Sequence, residues 1–108
     1  MSYQVLLTDD AIADMEELDD CISENDAPEN ADYVLSKIDE IIQSLTDMPE
    51  RGSYPCELAT LGIKEYRERV FKPYRIIYRI MDKKVYIYLV TDARRDMKTL
   101  LQRRLLSA

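Results

Sequence analysis

Six arginines carry the chemistry open to this chain: Arg67, Arg69, Arg75, Arg79, Arg94 and Arg95. The first four sit at alternate positions of two strand-like stretches, and the last two follow a third. A guanidinium holds a phosphate or carboxylate through two parallel hydrogen bonds and stabilises charge that develops on it. It does not serve as a base, because its pKa stays above about 12. With no histidine in the sequence, every mechanism that uses imidazole as acid or base is excluded. Cys21 and Cys56 are far apart, have no metal-type spacing, and read as reduced thiols. These residue types point to recognition of an anionic partner, with no metal or cofactor expected.

The distribution of charge supports that expectation. Residues 1–60 hold 16 acids against 2 bases, and residues 61–108 hold 5 acids against 13 bases, so a net charge of −6 conceals an acidic half and a basic one. Such asymmetry suits a basic face offered to an anionic partner, or two halves that neutralise each other within the fold. At 108 residues, 46% hydrophobic and 33% charged, the chain is expected to be a single domain spanning residues 1–108. No stretch approaches the roughly 20 apolar residues of a membrane span. The N-terminus lacks the pattern of a secretory signal, and a cytoplasmic location is expected.

The elements that must position the arginines follow from periodicity. Residues 73–96, PYRIIYRIMDKKVYIYLVTDARRD, read as two strands joined by the polar pair Asp82-Lys83. In the first strand Tyr74, Ile76, Tyr78 and Ile80 share one face, and Arg75, Ile77, Arg79 and Met81 the other. Residues 65–71 form a preceding strand, with Tyr66, Glu68 and Val70 opposed to Arg67, Arg69 and Phe71. Lys72-Pro73 turns the chain between them. Upstream, residues 3–7 make a short strand, and Thr8 caps a helix whose apolar stripe is Ile12, Met15, Leu18 and Ile22. Its acids Asp14, Glu16, Glu17 and Asp20 are expected on a solvated face. A second helix over 28–47 opens at Pro28 and carries Ala31, Val34, Leu35, Ile38, Ile41, Ile42 and Leu45. Met97, Leu100, Leu101 and Leu105 stripe a final helix, with Arg103 and Arg104 near its negative end. The order β-α-α-β-β-β-α predicts an α+β fold: an antiparallel sheet packed by an N-terminal helical hairpin and a C-terminal helix, the helices on one side.

That order, with PYRIIYRI, a further strand and ARRD, resembles the RelE/ParE toxin superfamily of type II toxin–antitoxin systems. The helical segment ADMEELDDCISENDAPENADYVLSKIDEIIQSL is similar to the superfamily's helical hairpin, and MPERG to its helix exit. The resemblance implies a toxin held in check by a cognate antitoxin encoded beside it, in a hetero-oligomer. The RelE branch implies a ribosome-dependent mRNA endoribonuclease. Its pattern, carried onto this chain, makes Arg67 and Arg69 the strand bases, Arg75 the next arginine and Arg95 the one after the last strand. The tyrosine that the RelE pattern places in the C-terminal helix falls at about Leu101 here. Glu68 alternates away from Arg67 and Arg69, so it is no obvious substitute base.

The ending RRDMKTLLQRRL looks more like the ParE branch, which implies poisoning of DNA gyrase and plasmid stabilisation. An acidic pI of about 4.6 is also unlike a ribosome binder, whose affinity rests on phosphate contacts. The reading is therefore a ParE-like toxin that is not an enzyme, with the ribonuclease as the alternative. The binding set for target and antitoxin is Arg67, Arg69, Arg75, Arg79, Arg94 and Arg95. Against it stands a structural account in which Arg75 and Arg79 lay their stems over Ile77 and Met81 or pair with carboxylates of the acidic half. Tyr74, Tyr78, Tyr86 and Tyr88 read as sheet packing.

Overall fold

The computed structural model describes residues 2–106. Its elements are β1 (Gln4–Leu7), α1 (Asp9–Asn25), α2 (Pro28–Ser44), a 3-10 turn (Pro49–Arg51), α3 (Cys56–Ala59), β2 (Tyr66–Phe71), β3 (Tyr74–Met81), β4 (Lys84–Asp92) and α4 (Met97–Leu101), which runs on as a π-helical turn (Gln102–Leu106). The fold is α+β in the expected order. The 3-10 turn and α3 are additional, in a segment whose prolines and glycines masked its one-turn helices. No helix among the described residues is long and apolar enough to cross a membrane.

The sheet order is β1-β4-β3-β2. Strands β2, β3 and β4 form the expected antiparallel meander, and β1 joins its β4 edge in parallel. The sheet is therefore mixed. Parallel neighbours need a long connection, and here everything between β1 and β4 supplies it. Asp82, at φ 57°, makes the left-handed step of the two-residue turn between β3 and β4.

Both sheet faces are covered, which corrects the expectation of helices on one side. One face packs Ile76, Tyr78, Val85, Ile87 and Val90 against Ala11, Ile22, Ala31, Val34, Ile38, Ile42 and Leu45 of the helical hairpin. The other packs Tyr66, Ile77 and Leu89 against Leu58 of α3 and Met97, Leu100 and Leu101 of the C-terminal helix. Burial from two sides explains why Arg75–Tyr78 is buried without a break. In β4, Ile87 and Val90 face the same helices although three residues apart. The register slips between Ile77 and Tyr78, leaving Tyr88 as the extra residue that makes this possible.

Helix α1 is turned slightly from the predicted orientation. Ala11 is buried and Ile12 is 45% exposed, so the stripe is Ala11, Met15, Leu18 and Ile22. The cause lies at the cap: the Thr8 hydroxyl accepts from Ala11 N–H and donates to the Ile87 carbonyl, fixing the helix start on β4. In consequence Asp14, expected in solvent, is buried.

Candidate functional site

The β2–β3 register decides which arginines meet. Glu68 lies opposite Ile77 and Val70 opposite Arg75, so Glu68, Val70, Arg75, Ile77 and Arg79 share the face covered by α3 and α4. Arg67 opposes Tyr78 and Arg69 opposes Ile76, on the face of the helical hairpin. The set Arg67, Arg69, Arg75 and Arg95 is thus split between two faces. It makes no single cationic cluster.

Arg75 is buried and held by two carboxylates. Its Nε and Nη2 donate to Glu68 at 2.9 and 2.8 Å, and its Nη1 and Nη2 donate to Glu57 at 2.7 and 2.8 Å. Two carboxylates therefore hold the guanidinium through paired bonds, the geometry in which it would also hold a phosphate. Those bonds hold the Glu57 carboxyl down at about 2, against burial, which acts in the opposite direction. The same contacts push the Arg75 pKa further up, so this arginine keeps its charge.

The loop before β2 exists to place Glu57. Tyr78, buried in the sheet, donates its hydroxyl to the Pro49 carbonyl at 2.5 Å and accepts from Gly52 N–H at 3.1 Å. A Cβ at residue 52 would stand 2.2 Å from the Tyr78 hydroxyl oxygen, so the close approach requires glycine. Ser53 and Glu68 exchange backbone bonds, extending the sheet by one bridge. Arg67 completes the brace, donating to the Glu50 and Gly52 carbonyls at 3.1 and 3.0 Å and lying 4.8 Å over the Tyr54 ring. With the loop pinned, α3 begins at Cys56 and aims Glu57 at Arg75.

The remaining candidates are more open. Arg79 lies over the Tyr66 ring at 5.9 Å, and Tyr66 meets Tyr88 edge-to-face at 5.7 Å. Arg94 is highly exposed and held by Asp92, which raises its pKa and lowers that of Asp92. Arg95 is exposed and reaches Thr91 Oγ1 at 3.4 Å. Among the described residues Arg69, Arg79 and Arg95 have no ion pair. Leu101 is 1% exposed within the second core, which leaves its position in the C-terminal helix to packing.

Two features escape a reading of the sequence. Glu57 lies in an irregular segment with no periodicity to aim it. The second is a clasp at the β4 edge: Arg104 donates to Asp14 at 3.2 and 2.8 Å and to the Tyr88 carbonyl at 3.1 Å, while Asp14 accepts from Val90 N–H at 3.1 Å. By contrast Glu68 had a signal, since a two-residue turn at Lys72-Pro73 places it diagonally across from Arg75.

Comparison with known proteins adds to this picture. A family model described as the ParE toxin of type II toxin–antitoxin system, parDE, matches residues 5–97. No curated protein matches the chain. Among solved structures, the chromosomal ParDE toxin–antitoxin system from P. aeruginosa is similar at a TM-score of 0.70 and 18% identity, covering 84% of this chain and 96% of that one. The RelBE2 toxin–antitoxin complex from Mycobacterium tuberculosis gives 0.60 and 21%, over 85% and 92%. A free-state arginine mutant of the E. coli toxin RelE gives 0.64 and 14%, over 97% and 100%.

Proposed function

The chain belongs to the ParE toxin family of type II toxin–antitoxin systems, and from that premise we propose that it binds and poisons DNA gyrase, is neutralised by a cognate antitoxin encoded beside it, and does not cut RNA. The observation that carries the choice is the engagement of Arg75 by Glu57 and Glu68. RNA cleavage by a neighbouring 2′-hydroxyl needs cations converging on one phosphate, a group to take a proton and a group to give one. Here Arg67 and Arg69 face away from Arg75, Arg67 braces a loop, and Leu101 is core. What stays open on the α4 side is a surface suited to binding, with Arg79 and the half-buried Tyr86 and Tyr88 on it.

The test is a supercoiling assay with purified gyrase and the purified toxin. Loss of supercoiling with accumulation of cleaved DNA complexes is expected, and restoration on adding the antitoxin. Gyrase left unaffected at micromolar toxin rejects the proposal. Primer extension on cellular mRNA after induction checks the other side: growth arrest with uncut transcripts is expected, and codon-positioned cuts would instead establish the ribonuclease.

A further inference from the structure

We propose that gyrase is engaged by the half of the α4-side sheet face that α3 and α4 leave uncovered. The element gyrase offers there is an acidic protein segment carrying an apolar side chain. The inference rests on the gyrase reading above and specifies its surface and the partner's chemistry. The register sets the surface: Arg79 opposes Tyr66 and Tyr86, and Met81 opposes Lys84. Gln4 and Leu6 of β1 pair with Lys84 and Tyr86, so all these side chains share one face. The cover from α3 and α4 reaches Tyr66, Ile77, Tyr88 and Leu89. Beyond it Leu6, Met81 and Tyr86 are half-buried and belong to neither core cluster. A depression of about 610 Å³ opens here, with Gln4, Met81, Lys84 and Tyr86 among its walls.

The chemistry of this surface selects its occupant. Met81 and Tyr86 give apolar contact, and the cations are Arg79, over the Tyr66 ring at 5.9 Å, and the exposed Lys84. The one acid lining the depression is Asp82, in the β3–β4 turn. Tyrosine, methionine and arginine are the types enriched where proteins meet. A second copy of this chain fits less well. A two-fold axis through the face would bring Arg79 and Lys84 against their own equivalents, like charge on like. Nucleic-acid bases fit less well too, because they need ring faces free for stacking. Tyr88 instead meets Tyr66 edge-to-face and lies tilted at 43° to Tyr86, so these rings are engaged with one another. A carboxylate facing Arg79 and Lys84, with an aliphatic group on Met81 and Tyr86, uses both the charge and the apolar floor.

Interferometry of the toxin on immobilised gyrase, without DNA, provides the test. Binding is expected, and Tyr86→Ala should weaken it at least about tenfold while circular dichroism is unchanged. Lys84 is exposed, so its variants report on contact without disturbing the fold. Lys84→Glu should weaken binding at least about fivefold and Lys84→Gln about twofold or less, the order that a facing carboxylate imposes. Lys37→Gln, on α2 at the other side of the sheet, should stay within about twofold of the parent. Unchanged affinity of Tyr86→Ala and Lys84→Glu overturns the face assignment, and equal affinity of the two Lys84 variants overturns the acidic partner. Binding that requires added DNA overturns a protein segment as the occupant. Each of these leaves the gyrase reading intact where supercoiling is still lost. A toxin that neither binds gyrase nor inhibits it removes both.

Discussion

At the scale of single residues, Arg75 is the instructive case, because its type suggests a ligand site and its surroundings make it a structural clasp. Its side chain is 11% exposed, Glu68's is 11% and Glu57's 23%. Removing the cation leaves two carboxylates facing each other with little water, so Arg75→Ala should cost about 3 kcal/mol by urea denaturation. Arg75→Lys should recover only part of that, since an ammonium cannot form both paired contacts. The pH dependence follows from Glu57. Its pKa falls on folding from an ordinary 4.5 to about 2, so it contributes stability that is complete above 4.5 and is lost as pH drops from there towards 2. Allowing for partial exposure, the loss is about 2 kcal/mol, and Glu57→Gln should flatten that limb of the stability profile. The alternation of Glu68 against Arg67 and Arg69 was legible in the sequence, but the separation of those two from Arg75 needed the β2–β3 register. The role of Glu57 was not, because it depends on a loop hung from Tyr78 and Gly52, 26 residues apart.

At the scale of elements, the stripes of α2 and the alternation of β2 and β3 carried most of the fold, since each residue's burial follows from its period. What they could not supply was the rotation of α1. Periodicity fixes a helix face only to within about one residue, and the choice between Ala11 and Ile12 fell to the Thr8 cap on Ile87. With that choice Asp14 moved from an assumed solvated face to the strand edge, where Arg104 meets it. Asp14 and Arg104 thereby tie three elements that share no backbone bonds: α1, β4 and the C-terminal turn. Arg104 is partly buried, and its bonds to Asp14 hold its pKa up. Arg104→Ala should therefore act mainly on the C-terminal helix. Amide exchange in Met97–Leu101 should quicken by about tenfold or more, while β3 keeps its protection, because the segment then opens without global unfolding. Equal acceleration in β3 would mean that the clasp holds the whole fold.

At the scale of the molecule, the acidic and basic halves are neither wholly self-neutralising nor wholly free. Arg75 and Arg104 meet acids of the first half, Glu57, Asp14 and Asp10, and are consumed in folding. Of the six candidate arginines, Arg69, Arg79 and Arg95 are left with neither an ion pair nor a loop to brace among the described residues. The sheet divides these three, however. Arg69 lies on the side of the helical hairpin, and Arg79 on the side of α4 with the tyrosines. A flat protein interface engages one side of a sheet, so the two should respond differently to charge reversal. Tyrosine and arginine are the residue types that concentrate binding energy, and the Arg79 side sets an arginine without an ion pair beside Tyr66, Tyr86 and Tyr88. Arg79→Glu should thus weaken gyrase inhibition at least about tenfold, and Arg69→Glu by no more than about twofold. Both variants should melt within about 3 °C of the parent, because neither residue is in an ion pair. Inhibition by the parent should also weaken as salt rises from 50 to 200 mM, about the range over which exposed charges become screened. The reverse ranking of the two variants would move the gyrase contact to the helical-hairpin side of the sheet, where Arg69 lies.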